Sequence, residues 1–281
     1  DVLFVGEGPN QALERRARSI MDIARHCFRV DANLRPEGRD GPLVRSVESY
    51  EAYWERWAEP WEFQALLKAR PVAGDVAIGE RWFDAAQRWL WARPFDAEAL
   101  RSLRSMKARA EAEVSRKGLG SRELKRGPGG IRDIEFTVQL LQLVHGHLDP
   151  DLRGATTLTM LEEMATAGYI DEGDATTMAS AYRELRTVEH RLQLVDEQQI
   201  HTIPTDAIAL DHLARVMGRR DEPDGTAAEQ LERELHLTQT TVRGIHERVY
   251  FRPLLEAFAG TTTDEAMLST EATEVRLTAF G

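Results

Sequence analysis

The stretch Lys125-Arg-Gly-Pro-Gly-Gly-Ile-Arg-Asp-Ile-Glu-Phe-Thr-Val-Gln-Leu-Leu-Gln-Leu-Val-His-Gly146 runs from two cations through a glycine-rich turn into a long apolar helical pattern. At 100° per residue from Ile131, the residues Gln142, Glu135, Gly146, Gln139 and Arg132 fall within one arc of about 80°. Apolar residues fill most of the remaining circumference. A helix of that kind is expected to be buried. Its polar arc must then face a partner, an ion or a wet cavity, because unpaired buried polar groups are costly. Asp133 and Thr137 interrupt the apolar side near the N-terminus, where an acid suits the helix dipole and can cap. Gly129 and Gly130 permit backbone N–H groups to converge on an anion at the helix start, with Lys125 and Arg126 adding charge. The competing reading is a tight structural loop with an internal Arg132–Glu135 ion pair. The turn is no dinucleotide or Walker fingerprint, since no strand precedes it and no Gly-Lys-Ser/Thr follows.

Working outward, residues 1–5 and Phe28-Arg-Val-Asp-Ala-Asn-Leu34 read as strands, with helical composition between Gln11 and Arg25. Arg35-Pro-Glu-Gly-Arg-Asp-Gly-Pro42 is a turn-rich loop. Helices are expected over 47–58, 61–70, 75–91, 96–117, 131–147, 155–167, 171–197, 206–217 and 226–258, broken at Gly and Pro. The fold class is α+β, mostly α: the remnant of an α/β domain over 1–93, then an all-α helical bundle over 96–258. Residues 259–281 read as a linker. The chain opens without Met on a strand pattern already under way, so a fragment cut inside a domain is expected.

Asp1 and Asp31 each fall in an apolar strand pattern, against propensity. Each alone fits an edge strand or turn. Together, on adjacent strands, they form part of a hard oxygen set for Mg2+ or Mn2+, the ions that clamp attacking and leaving oxygens in phosphoryl transfer. Arg35 and Arg39 follow on the stiff loop, and a guanidinium fork suits phosphate. Trp61-Glu-Phe-Gln-Ala-Leu-Leu-Lys-Ala-Arg70 places Glu62 near Lys68 and Arg70, either as phosphate ligands or as the solvated face of a helix. The tryptophans at 54, 57, 61, 82, 89 and 91 read as core, and His26, His145, His190, His201 and His212 show no metal-ligand spacing.

A net charge of −11 argues against a nucleic-acid partner. The single Cys27 excludes an intrachain disulfide and a cysteine-based metal site. No apolar run is long enough for a membrane span and no signal peptide is visible, so a cytoplasmic location is expected.

In order along the chain, Asp1-Val-Leu-Phe-Val5, Val30-Asp-Ala-Asn-Leu-Arg-Pro-Glu-Gly-Arg-Asp-Gly-Pro-Leu-Val44, Trp61 to Arg70 and Gly127 to Gln139 resemble the glutamine synthetase adenylyltransferase/adenylyl-removing family. The resemblance runs to about Glu256 and implies two nucleotidyltransferase-plus-bundle halves in tandem. One half removes AMP from glutamine synthetase by phosphorolysis, releasing ADP; the other attaches AMP from ATP. Gly-Pro-Gly-Gly-Ile-Arg-Asp-Ile-Glu-Phe with Leu-Gln-Leu-Val-His-Gly is most similar to the removing half. Carried over by motif, Asp1 and Asp31 are catalytic metal carboxylates. Arg35, Lys68, Arg70, Gly129, Gly130, Arg132 and Glu135 are phosphate- or nucleotide-binding candidates. The resemblance also implies glutamine synthetase and a PII-type nitrogen-signal protein as partners. The first acid of the family's Asp-x-Asp pair would precede residue 1, so the chain by itself is expected to lack independent catalysis. Two alternatives follow: ATP-dependent adenylylation, and a non-catalytic docking or regulatory module over 96–258. For the latter, Leu231 to Phe258 is the candidate partner-facing stretch, the other reading being a helix that closes the bundle.

Overall fold

The computed structural model describes residues 1–8, 11–92 and 95–259. The expected linker at 259–281 therefore lies outside the described residues, apart from Ala259. The described residues hold ten α-helices, two short 3-10 helices and a two-stranded parallel sheet. The fold is accordingly α+β and mostly α. The chain forms two compact units.

The first unit comprises Asp1–Pro94 with His145–Ala155. It contains β1 (Phe4–Val5), α1 (Gln11–Ala24), β2 (Val44–Arg45), α2 (Val47–Arg56), α3 (Pro60–Leu66) and α4 (Val76–Trp91). β1 and β2 pair in parallel, with Phe4 opposite Val44 and Val5 opposite Arg45. Alternate residues of the opening segment serve different clusters. Val2 and Phe4 pack with Ala17, Met21, Ala32 and Leu43, whereas Leu3 and Val5 pack against Tyr50, Trp54 and Trp82. This two-sided burial explains why the segment reads as an unbroken apolar run. Tyr50, Trp54 and Trp82 meet with ring centroids 5.4–5.9 Å apart.

Three expectations need correction here. The second strand is Val44–Arg45, not Phe28–Leu34; the latter segment contributes one ladder bond, Val2 N–H to the Asp31 carbonyl at 2.8 Å. The Asp and Asn side chains of that segment favour a turn, and the Asp31 carboxylate accepts the Asn33 N–H at 2.8 Å. The helix expected over 61–70 ends at Leu66, so Lys68 and Arg70 lie beyond it, both exposed. Glu62 is buried, accepting from the Glu59 N–H in a capping box and from the Tyr53 hydroxyl at 2.9 Å. Burial pushes the Glu62 carboxyl above its ordinary range. Trp57 is exposed rather than core.

The second unit comprises Phe95–Val144 and the described residues from Thr156 on. It contains α5 (Ala97–Arg116), α6 (Ile131–His145, its last residue excepted), α7 (Thr157–Thr166), α8 (Glu172–Asp196), α9 (Ala207–Val216) and α10 (Ala227–Ala259). Asp96, Asp171 and Asp206 cap α5, α8 and α9, and Thr226 with Glu229 forms a capping box on α10. Ten of the fifteen residues of α6 are buried, so it is the central helix its pattern announced. Leu231, Leu235, Gln239, Val242 and His246 of α10 are buried at helical spacing. That face of α10 closes the bundle.

Candidate functional site

Two groups of candidate residues emerge, one in each unit. In the first unit, the Val2–Asp31 backbone bond places Asp31 beside the segment that begins at Asp1. Asp31 and Arg35 line a pocket of about 710 Å3, together with Arg39 of the same loop, Arg18 of α1 and Arg25 just after that helix. Lys68 and Arg70 are not among its lining residues. The loop that carries Arg35 is stiffened by its own side chains. Arg35 donates to the carbonyls of Ala32 (2.7 Å), Gly41 (3.2 Å) and Arg39 (3.2 Å). Three of its donors are thereby directed at loop carbonyls. Glu37 and Gly38 both adopt positive φ, at 62° and 57°, and Glu37 pairs with Arg45. A non-glycine residue in that conformation is uncommon and marks a loop held in place by its surroundings. Glu14 of α1 accepts the Leu43 N–H at 3.0 Å, tying the far end of the loop to the helix.

Asp1 and Asp31, the two carboxylates expected to hold a divalent cation, lie on adjoining segments. Among the described residues no three His, Cys, Asp or Glu side chains come together as a metal site.

In the second unit the glycine turn does something other than cradle an anion. The N–H of Gly129 donates to Asp133 Oδ2 (2.8 Å), and that of Gly130 to the Gly127 carbonyl (3.0 Å). The N–H groups of Ile131, Arg132 and Asp133 go to the carbonyls of Leu124, Lys125 and Gly130 at 2.8–3.0 Å. Every backbone N–H from Gly129 to Asp133 is engaged inside the protein, which corrects the expectation that Gly129 and Gly130 offer N–H groups to a phosphate. The glycines instead permit close approach. Gly129 has φ +71°, and a Cβ there would run into the Gln239 carbonyl of α10.

Arg132 is half-buried, with its guanidinium 5.3 Å from the Phe136 ring centroid. Among the described residues no hydrogen bond or ion pair engages that guanidinium. Burial and the neighbouring Arg126 lower its basicity, partly offset by Glu135 and Glu123. The acid Glu135 accepts the Tyr182 hydroxyl at 3.1 Å. Arg126 is paired with the buried Glu123 at 3.2 Å, whose carboxylate also accepts the Lys125 and Arg126 N–H groups.

Sequence reading missed a buried charged cluster centred on Asp133. Lys107 of α5 lies 2.8 Å from Asp133 Oδ1 and also pairs with Glu111. Arg243 of α10 lies 2.8 Å from Glu111 and 3.4 Å from Asp133 Oδ2. His246 Nδ1 is 2.7 Å from the Thr137 hydroxyl, which donates to the Asp133 carbonyl. With that proton committed, His246 is the donor at Nδ1. Burial pushes the His246 imidazole down to about 3, leaving it neutral. Burial alone would raise the Asp133 carboxyl, but the Lys107 ammonium and the Gly129 N–H outweigh it and hold the group below its ordinary range. The members come from helices distant in sequence, and only Asp133 breaks an apolar pattern conspicuously.

Residues 13–85 match the family model described as glutamate-ammonia ligase adenylyltransferase, and residues 104–250, more than half of the chain, match GlnD PII-uridylyltransferase. Both descriptions name nucleotidyltransferases. Proteins named bifunctional glutamine synthetase adenylyltransferase/adenylyl-removing enzyme align over 100% of it. The relative from Streptomyces avermitilis is 44% identical, that from Mycobacterium tuberculosis (strain ATCC 25618 / H37Rv) 42%, and that from Corynebacterium glutamicum 39%. The chain belongs to the family of bifunctional glutamine synthetase adenylyltransferase/adenylyl-removing enzymes. It spans 29%, 29% and 27% of the length of those three relatives, respectively.

Proposed function

We propose that the chain is part of a nucleotidyltransferase module that controls glutamine synthetase by phosphorolytic removal of AMP, releasing ADP. One observation carries this reading: the Gly127 to Gln139 block, in the form that resembles the removing half, within a chain aligned end to end with relatives named for both activities. In this reading residues 1–93 are the C-terminal part of a nucleotidyltransferase domain and residues 96–258 its helical bundle.

Inorganic phosphate attacks the phosphorus of the tyrosine-linked AMP. The new P–O bond forms as the bond to the tyrosine oxygen breaks, and the phosphate proton ends on that oxygen. Catalysis is chiefly positioning and charge neutralisation. Asp1 and Asp31 are the residues that would hold Mg2+ or Mn2+, whose chemistry is to neutralise charge on the transferred phosphoryl group. Arg35 keeps the loop rigid beside Asp31, with Arg39 at the pocket wall. The exposed Lys68 and Arg70 are further phosphate candidates. Arg132 is the bundle's phosphate-binding group, because no described residue accepts a hydrogen bond from its half-buried guanidinium. Glu135 and Phe136 flank it.

The test is phosphate-dependent ADP release from adenylylated glutamine synthetase by the full-length protein that contains this chain. Asp31→Ala should lower the rate at least about a hundred-fold, the scale of losing a transition-state electrostatic contact. Wild-type activity in that variant would remove Asp31 from the site. The same assay run with ATP in place of phosphate separates removal from adenylylation. A PII-type nitrogen-signal protein is the proposed regulator.

A further inference from the structure

We infer that Asp133 is a positioning residue: its buried ion-pair network pins the Gly127–Gly130 turn onto α10 and thereby aims Arg132 at the anion it binds. This rests on the reading of Arg132 as a phosphate-binding group. Asp133 is 2% exposed, yet it touches three separate parts of the bundle. One carboxylate oxygen takes Lys107 of α5 at 2.8 Å; the other takes the Gly129 N–H at 2.8 Å and faces Arg243 of α10 at 3.4 Å. Other titratable groups of the cluster include Glu111, which pairs with both cations, the neutral His246, Tyr250, whose ring centroid is 4.7 Å from that of His246, and Glu247, which accepts from Arg243 at 2.6 Å.

Stability alone is a poor account of such a cluster. Removing paired charges from water costs about as much as their attraction returns, and apolar packing of similar volume is often the more stable choice. What the network supplies is a defined geometry. Gly129 must approach the α10 backbone more closely than any side chain allows, in a left-handed conformation. Asp133 accepts the N–H of that same glycine, closing the turn on the first residues of α6. Arg132 is the adjacent residue, and its guanidinium lies 5.3 Å from the Phe136 ring centroid, with no hydrogen bond or ion pair to it among the described residues. The direction of the Arg132 side chain therefore depends on where the turn and the first helical residues are held.

The experiment measures binding of inorganic phosphate to the full chain by phosphorus NMR, alongside peptide-level hydrogen exchange over the turn and near-ultraviolet circular dichroism. Arg132→Gln should abolish phosphate binding and leave exchange at the turn unchanged. Asp133→Asn should weaken phosphate binding at least about ten-fold and accelerate exchange at the turn, with the dichroism retained. Arg243→Gln, which spares the Lys107–Asp133 pair, should weaken binding a few-fold and provides the reading if Asp133→Asn does not fold. Arg243→Lys should recover wild-type binding, which distinguishes loss of the network's charge from loss of packing. Wild-type phosphate binding in Asp133→Asn, or in Arg243→Gln where the former is unfolded, would overturn the positioning role while leaving Arg132 as the ligand. Wild-type binding in Arg132→Gln would overturn the Arg132 reading itself and this proposal with it.

Discussion

His246 is a buried base that stays neutral, and its thermodynamic consequence is specific. The imidazole titrates near 6.5 in an unfolded chain and near 3 when folded, so below 6.5 the unfolded state binds the extra proton. Stability should therefore fall as pH drops from about 6.5 toward 3, by up to roughly 1.4 kcal/mol per pH unit. Asp133, held below its ordinary range, contributes stability above the unfolded carboxyl value, lost only as pH falls through the lower folded one. Urea midpoints at pH 7, 6 and 5 isolate the histidine. The slope should be present in the wild type and flattened in His246→Gln. At Gly129 the expectation is structural: Gly129→Ala places a methyl on the Gln239 carbonyl at φ +71°, and should cost more than about 3 kcal/mol in urea denaturation. Neither residue advertises this in one dimension. His246 acquires its role from helices far away in sequence.

At the scale of elements, capping and periodicity carry most of the information. Asp206 accepts the Ala209 N–H at 2.9 Å to start α9, and Asp206→Ala should destabilise by about 1 kcal/mol, read from the shift in urea midpoint. Leu143 on α6 is 2% exposed, and Leu143→Ala should cost about 2–5 kcal/mol by the same measurement. The helices were legible because apolar residues at helical spacing, Asp or Thr caps and Gly or Pro breaks agree along the bundle. Of the strands, β1 falls within the expected residues 1–5, but β2 was not legible. A two-residue ladder has too short a period to read, and apolar Phe28–Leu34 looks more strand-like than Val44–Arg45. The decisive factor there is the local turn that the Asp31 side chain makes with Asn33. Likewise α3 ends at Leu66, four residues before its helical pattern does, although its start obeys the Glu59–Glu62 capping box.

For the whole molecule, family membership follows from end-to-end similarity, and the proposed chemistry can be tested by metal removal. Chelation of divalent cations should abolish phosphate-dependent ADP release in the full-length protein, and added Mg2+ or Mn2+ should restore it; activity that persists in excess chelator would discard the metal role of Asp1 and Asp31. No helix among the described residues is long and apolar enough to cross a membrane. The amino-acid order by itself determined the mostly helical class, the positions of the helices, the burial of α6 and the resemblance that names the family. These depend on local propensity and short-range periodicity, which a linear pattern records. The tertiary structure alone decided that the segment His145–Ala155 groups with the first unit, that the turn N–H groups are spent internally, and that Asp133 joins Lys107, Arg243 and His246. Those facts depend on pairings between residues far apart along the chain, and burial gives them their energetic weight.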